Sequence, residues 1–218
     1  MHHLIRGTVL SMLLMLSVPA FADPVHDLVL AAQIDNPVAV KKLLASGLSP
    51  NTLAPVTGEP LLIVAIREGS KGVSELLLAE KGLDIELSAP NGNTALMMAA
   101  FKHNQAVLEK LLARGAVVNR QGWTALHYAA AGGDAAIVAL LAGKGAVLDA
   151  VAPNGLTPLM LASSEGHPEA VGVLLERGAN AAFVNQHGQS AREAALYRDR
   201  PDIVKLLDAH LAGAARQK

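Results

Sequence analysis

Residues 122–130 read GWTALHYAA and set Thr124 three positions before His127. A hydroxyl beside an imidazole is a pairing that nucleophilic catalysis uses, the imidazole taking the proton. The remaining parts of such a machine are missing from the sequence. The chain has no cysteine to supply a thiolate, and no G-x-S-x-G, H-E-x-x-H or phosphate-cradling G-x-x-x-x-G-K-[ST] occurs. Acidic residues are scattered along helical stretches without forming a pair for acid/base work, and Glu68 and Glu165 read as solvated rim residues. Metal binding needs ligands at short, fixed spacing. His26, His103, His127, His167, His187 and His210 are instead spread along the chain. Zinc would have to be gathered from distant segments, for example at turn tips around His187. The residue types therefore point away from an enzyme, a cofactor and a metal centre.

The composition says what kind of body carries these residues. The chain has 218 residues, 51% of them hydrophobic but only 3% aromatic, so Ala, Leu and Val dominate. That mixture suits closely packed helices and suits strands poorly. A net charge of -1 gives no electrostatic footprint for nucleic acid, and no Lys/Arg run marks an anionic membrane surface.

The first 22 residues differ from the rest. His2, His3 and Arg6 make a polar to basic start, Leu10 to Val18 is apolar with two serines, and Ala20-Phe21-Ala22 supplies small-x-small before Asp23-Pro24. This pattern predicts a signal peptide cleaved after Ala22, too short for a membrane span. Exported chains commonly carry disulfides, and this one has no cysteine. No Asn-x-Ser/Thr acceptor is present either. The expectation is a bacterial periplasmic protein, with secretion as the alternative, and no membrane association after cleavage.

The rest of the sequence repeats. NGNTALMMAA (91–100), QGWTALHYAA (121–130), NGLTPLMLAS (154–163) and HGQSAREAAL (187–196) align on Thr94, Thr124, Thr157 and Ser190, spaced by 30, 33 and 33 residues. Each of the first three runs on into a Leu-rich stretch ending in Gly-Ala: LEKLLARGA (108–116), IVALLAGKGA (137–146) and VGVLLERGA (171–179). Looser copies lie upstream at 57–83 and 26–48, and the last ends at IVKLLDAHL (203–211). The local chemistry of each unit is that of a helical hairpin. A turn glycine precedes a Thr or Ser able to N-cap a helix. Pro158 sits at a first helical position. Ala pairs at 99–100 and 129–130 permit close helix approach, and Gly115, Gly145 and Gly178 suit left-handed C-caps. Such a unit cannot bury its own apolar face, so copies must stack.

These motifs resemble the ankyrin-repeat family over 23–211. The resemblance implies an all-α solenoid of about six helix–turn–helix repeats with short hairpin fingers, in approximate units 23–55, 56–88, 89–118, 119–150, 151–183 and 184–211, followed by a tail at 212–218. Three departures stand out. The interval from Gly115 to Thr124 is three residues shorter than that from Gly145 to Thr157, so that finger is expected to be short. Pro60 replaces the usual Thr, with one extra residue before Gly82. Arg192 occupies a slot usually held by Leu, which disfavours the first helix of the last copy.

The resemblance also implies roles. His127 is expected to hydrogen-bond Thr124 and steady the turn, and His167, in the Gly-His slot, to be structural. Residues after the turn glycine and after the Ala pair face a concave groove in the family. The matching positions here are Glu59, Arg67, Glu68, Asn93, Phe101, Lys102, Trp123, Ala131, Leu156, Ser164, Glu165, Gln189, Tyr197 and Arg198. Phe101, Trp123 and Tyr197 put large aromatics in those slots, as interface hot spots do. Alternatively Trp123 packs over its own shortened turn. Tyr128, one position off the slots, is expected to be partly buried. The implied function is a monomeric, non-enzymatic scaffold holding a protein partner, for instance protecting a periplasmic enzyme in stress defence. Neutralising a toxin as an immunity protein is one alternative, and an enzyme or metal-binding protein with a site at the finger tips around His187 is another.

Overall fold

The computed structural model describes residues 23–216, and the expected signal peptide at 1–22 lies outside them. Twelve helices occur among the described residues, in six successive pairs. They are α1 (Pro24–Gln33) with α2 (Pro37–Ala45), α3 (Leu61–Glu68) with α4 (Lys71–Ala79), and α5 (Ala95–Phe101) with α6 (Gln105–Ala113). They continue as α7 (Ala125–Gly132) with α8 (Ala135–Gly143), α9 (Pro158–Glu165) with α10 (Pro168–Glu176), and α11 (Ala191–Tyr197) with α12 (Pro201–Arg216). The all-α solenoid expected from the repeats is the architecture observed.

Most of these helices have seven to ten residues, too few to persist alone in water. Their ends are fixed locally. Thr94, Thr124, Thr157 and Ser190 each accept a hydrogen bond from the N–H three residues on. Asn36, Asn104 and Asp134 do the same for the second helices. Pro60 cannot cap in this way. Instead the Leu61 N–H donates to the Thr52 carbonyl at 2.9 Å across the turn.

First helices pack in series, α1 to α3 to α5 to α7 to α9 to α11, and most second helices form a parallel outer row. Buried Leu96, Ala99, Leu126, Ala129, Leu159 and Ala162 lie along the joints, inside one continuous core. Polar stitches cross the joints. Asn51 and Asn119 each donate to a carbonyl and accept from an N–H in the segment just after the next second helix, α4 and α8 respectively, at 2.8–2.9 Å. Arg114 donates to the carbonyls of Leu78 and Leu83 at 2.7 and 3.1 Å, and Asp35 accepts from the N–H groups of Gly72 and Val73.

Each hairpin turns between its two helices through one left-handed residue: Asp35, Gly69, His103, Gly133, Gly166 or Asp199. Gly133 admits no substitute. Its φ is 78°, and a Cβ there would lie 2.4 Å from the His167 ring. His167 Nε2 in turn sits 3.0 Å from the Ala131 carbonyl. This histidine is a staple between neighbouring hairpins, as the Gly-His slot implied.

The three departures each have a local outcome. Four fingers are closed by a backbone bond: Ala54 to Glu59, Ala89 to Asn93, Ala152 to Leu156 and Asn185 to Gln189, at 2.8–2.9 Å. The shortened finger before Thr124 has no equivalent bond, since the residues needed to close it are absent. In the second hairpin α4 stops at Ala79 with Glu80 extended, and Gly82 is not left-handed; the extra residue replaces the glycine cap. The helix disfavoured by Arg192 does form. Ser190 and Glu193 make a reciprocal capping box, and the Arg192 guanidinium reaches out to Asp208 on α12 at 2.7 and 3.2 Å. Finally, α12 continues through Gly213 to Arg216, past the end of the repeat pattern and into the expected tail.

Candidate partner-binding groove

The Thr124–His127 pair is built into the turn. His127 is fully buried. Its Nδ1 accepts from the Thr124 N–H at 3.2 Å and faces the Thr124 hydroxyl at 2.9 Å. Its Nε2 lies 3.2 Å from the Leu156 carbonyl of the next finger, so Nε2 carries the proton. Burial pushes the imidazole pKa below 6.5, opposed by the bond to Leu156, and the ring is neutral. Thr124 is buried as well. Neither group reaches a substrate; together they fix one finger to the next.

The expected groove residues fall into three groups and one outlier. On the N-terminal side Arg67 pairs with Glu59 and with Glu68, the latter at 2.9 Å. In the middle, Phe101 and Tyr128 meet edge to face with centroids 6.0 Å apart, and Trp123 lies 6.0 Å from Tyr128 and 5.4 Å from His127. The Tyr128 hydroxyl donates to Asn93 Oδ1 at 2.6 Å. Phe101 is 48% exposed, and Trp123 and Tyr128 are half-buried. On the C-terminal side Leu156, Ser164, Glu165, Gln189, Tyr197 and Arg198 line one cleft of about 230 Å³, floored by Met160, Leu161 and Ala194. Arg198 reaches Glu165 at 3.5 Å, and Tyr197 is 89% exposed. Ala131 is half-buried, its carbonyl occupied by His167.

Lys102 is the outlier. It caps the far end of α5 and lines a separate cleft of about 380 Å³ with Lys71, Glu75, His103 and Lys110. Tyr128 is the residue the slot reading left out. It is partly buried as expected, yet it joins Trp123 to Phe101. The signal was available: Tyr128 lies just before an Ala pair on α7, and Phe101 just after one on α5, so helices packed side by side bring them together. Trp123 leans on its own turn through His127, and its ring is half-buried.

Among the described residues, no group of three His, Asp or Glu side chains is placed to hold a metal ion. No described helix is long and apolar enough to cross a membrane.

The family model for ankyrin repeats (3 copies) matches residues 28–121, 84–152 and 126–214. Human SH3 and multiple ankyrin repeat domains protein 2 is 35% identical over 157 residues, 70% of this chain and 8% of that protein. Human NAD-capped RNA hydrolase NUDT12 is 38% identical over 85 residues, 38% of this chain and 18% of that enzyme. The chain thus spans a small part of these relatives' length. Among solved structures, an ankyrin repeat domain from Acinetobacter baumannii superposes with a TM-score of 0.71 at 27% identity, covering 84% of this chain and 96% of that one. The ankyrin repeat domain of Bcl-3 gives 0.67 at 29%, covering 82% and 81%. With the family model running nearly end to end over six stacked hairpins, the chain belongs to the ankyrin-repeat family.

Proposed function

We propose that the protein is a non-enzymatic, monomeric binding module of the bacterial periplasm, which holds a protein partner against the wall formed by its first helices and fingers. The signal-peptide pattern at 1–22, cleaved after Ala22, supports the location. The aromatic patch of Phe101, Tyr128 and Trp123 carries the binding reading. Aromatic residues make up 3% of the chain, and three of them converge there with ring surface left to solvent. The partner we favour is a periplasmic enzyme that the scaffold shields or stabilises. Because the helices are pre-stacked, little ordering entropy is lost on docking.

Two measurements test this. Exported protein should begin at Asp23 on N-terminal sequencing; retention of Met1 in cytoplasmic protein would defeat the location. A partner captured from periplasmic extract and reconstituted from purified components should bind wild type and fail to bind Trp123→Asp. Equal binding would remove the patch from the interface.

A further inference from the structure

The cleft that takes Lys102 away from the groove has its own chemistry. Lys71, Lys102, Lys110 and His103 line it above apolar Ile66 and Val107. The acids facing these groups are few. Glu75 on α4 is taken by Lys110 at 2.9 Å, and Asp134, the N-cap of α8, approaches His103 Nδ1 at 3.3 Å. Lys71 and Lys102 have no acidic partner among the described residues. Elsewhere on the wall the charges cancel locally, Arg67 against Glu59 and Glu68, and Arg198 against Glu165. Phe101 of the aromatic patch and Lys102 of the cleft are consecutive at the end of α5.

We propose that this lysine cleft and the aromatic patch form one recognition surface for an extended, acidic protein segment, a statement that rests on the binding reading above. Apolar side chains of the segment lie on Phe101, Tyr128 and Trp123, and its carboxylates enter the cleft against Lys71 and Lys102. Two centroid steps of 6.0 Å separate Trp123 from Phe101, so about four extended residues cover the patch before the acidic part begins. Two exposed ammonium groups steer the segment and set its direction, while the rings supply the desolvated contact.

Selection of random twelve-residue peptides displayed against the immobilised protein tests this. Wild type should enrich segments with an apolar pair followed or preceded, about four residues away, by Asp or Glu. A synthetic peptide from that set should bind Lys71→Glu/Lys102→Glu about tenfold more weakly, the difference shrinking as salt rises. The reversed protein should enrich basic segments instead. Absence of an acidic bias, or a bias unchanged by charge reversal, would overturn the cleft assignment while leaving the aromatic patch in place. If Trp123→Ala/Tyr128→Ala enriches the same peptides as wild type, or wild type enriches none, the groove reading falls with it. Lys71→Gln/Lys102→Gln, which only removes charge, should give an intermediate loss, and matching thermal melts exclude a folding defect.

Discussion

Below about pH 6.5 an exposed imidazole takes a proton, but at His127 a proton would have to displace the Thr124 N–H from Nδ1 in a fully buried position. Its folded-state pKa lies below 6.5, lowered chiefly by burial. The unfolded chain therefore binds this proton more readily. The stability that the neutral ring contributes is fully present above pH 6.5 and is lost as pH falls toward the folded value. His127→Met, placing there the residue that occupies the same slot at Met97 and Met160, should flatten that part of a pH–melting curve; an unchanged slope would show that other groups cause it. His127→Ala should cost about 3 kcal/mol at neutral pH, from the cavity and the Thr124 N–H left without its acceptor, as read by denaturant unfolding. Ser163 makes the opposite case. Its hydroxyl is buried without a hydrogen-bond partner in the position that Ala100 and Ala130 hold in the two preceding repeats, so Ser163→Ala should stabilise by about 1 kcal/mol. The structural role of His127 was legible from its resemblance to the repeat; the link to Leu156 was not, since it depends on how far the next finger reaches.

Helices this short depend on their ends, which is why caps were the most readable elements. Thr94, Thr124, Thr157 and Ser190 could be picked out by spacing alone, and each accepts the expected bond. Arg192 reads as the weak point of α11 only when it is weighed by its polarity. At a terminal repeat the slot faces α12, and Asp208 there makes arginine an asset. Ser190→Ala should cost about 1 kcal/mol and speed amide exchange in 191–211, leaving 95–143 protected. A uniform rise in exchange across the chain would contradict a local effect.

Across the whole molecule, stability is a sum of hairpins and joints. The two ends differ from the middle. The first hairpin leaves Leu30, Ile34 and Val38 exposed, and the last leaves Leu196 and Tyr197 exposed next to charged Arg198, Asp199 and Arg200. Stacking order and repeat number were legible because the period is set by local turns. The joining of Phe101 to Tyr128 and the separation of Lys102 from the groove were not, because both depend on how neighbouring helices are offset. Trp123 is the chain's only tryptophan, so its emission reports on the wall without any label. The most direct measurement is acrylamide quenching of that emission, free and with the reconstituted partner. The account predicts a quenchable indole in the free protein that becomes shielded at stoichiometric partner. An indole inaccessible from the outset, or equally quenchable in the complex, would contradict it.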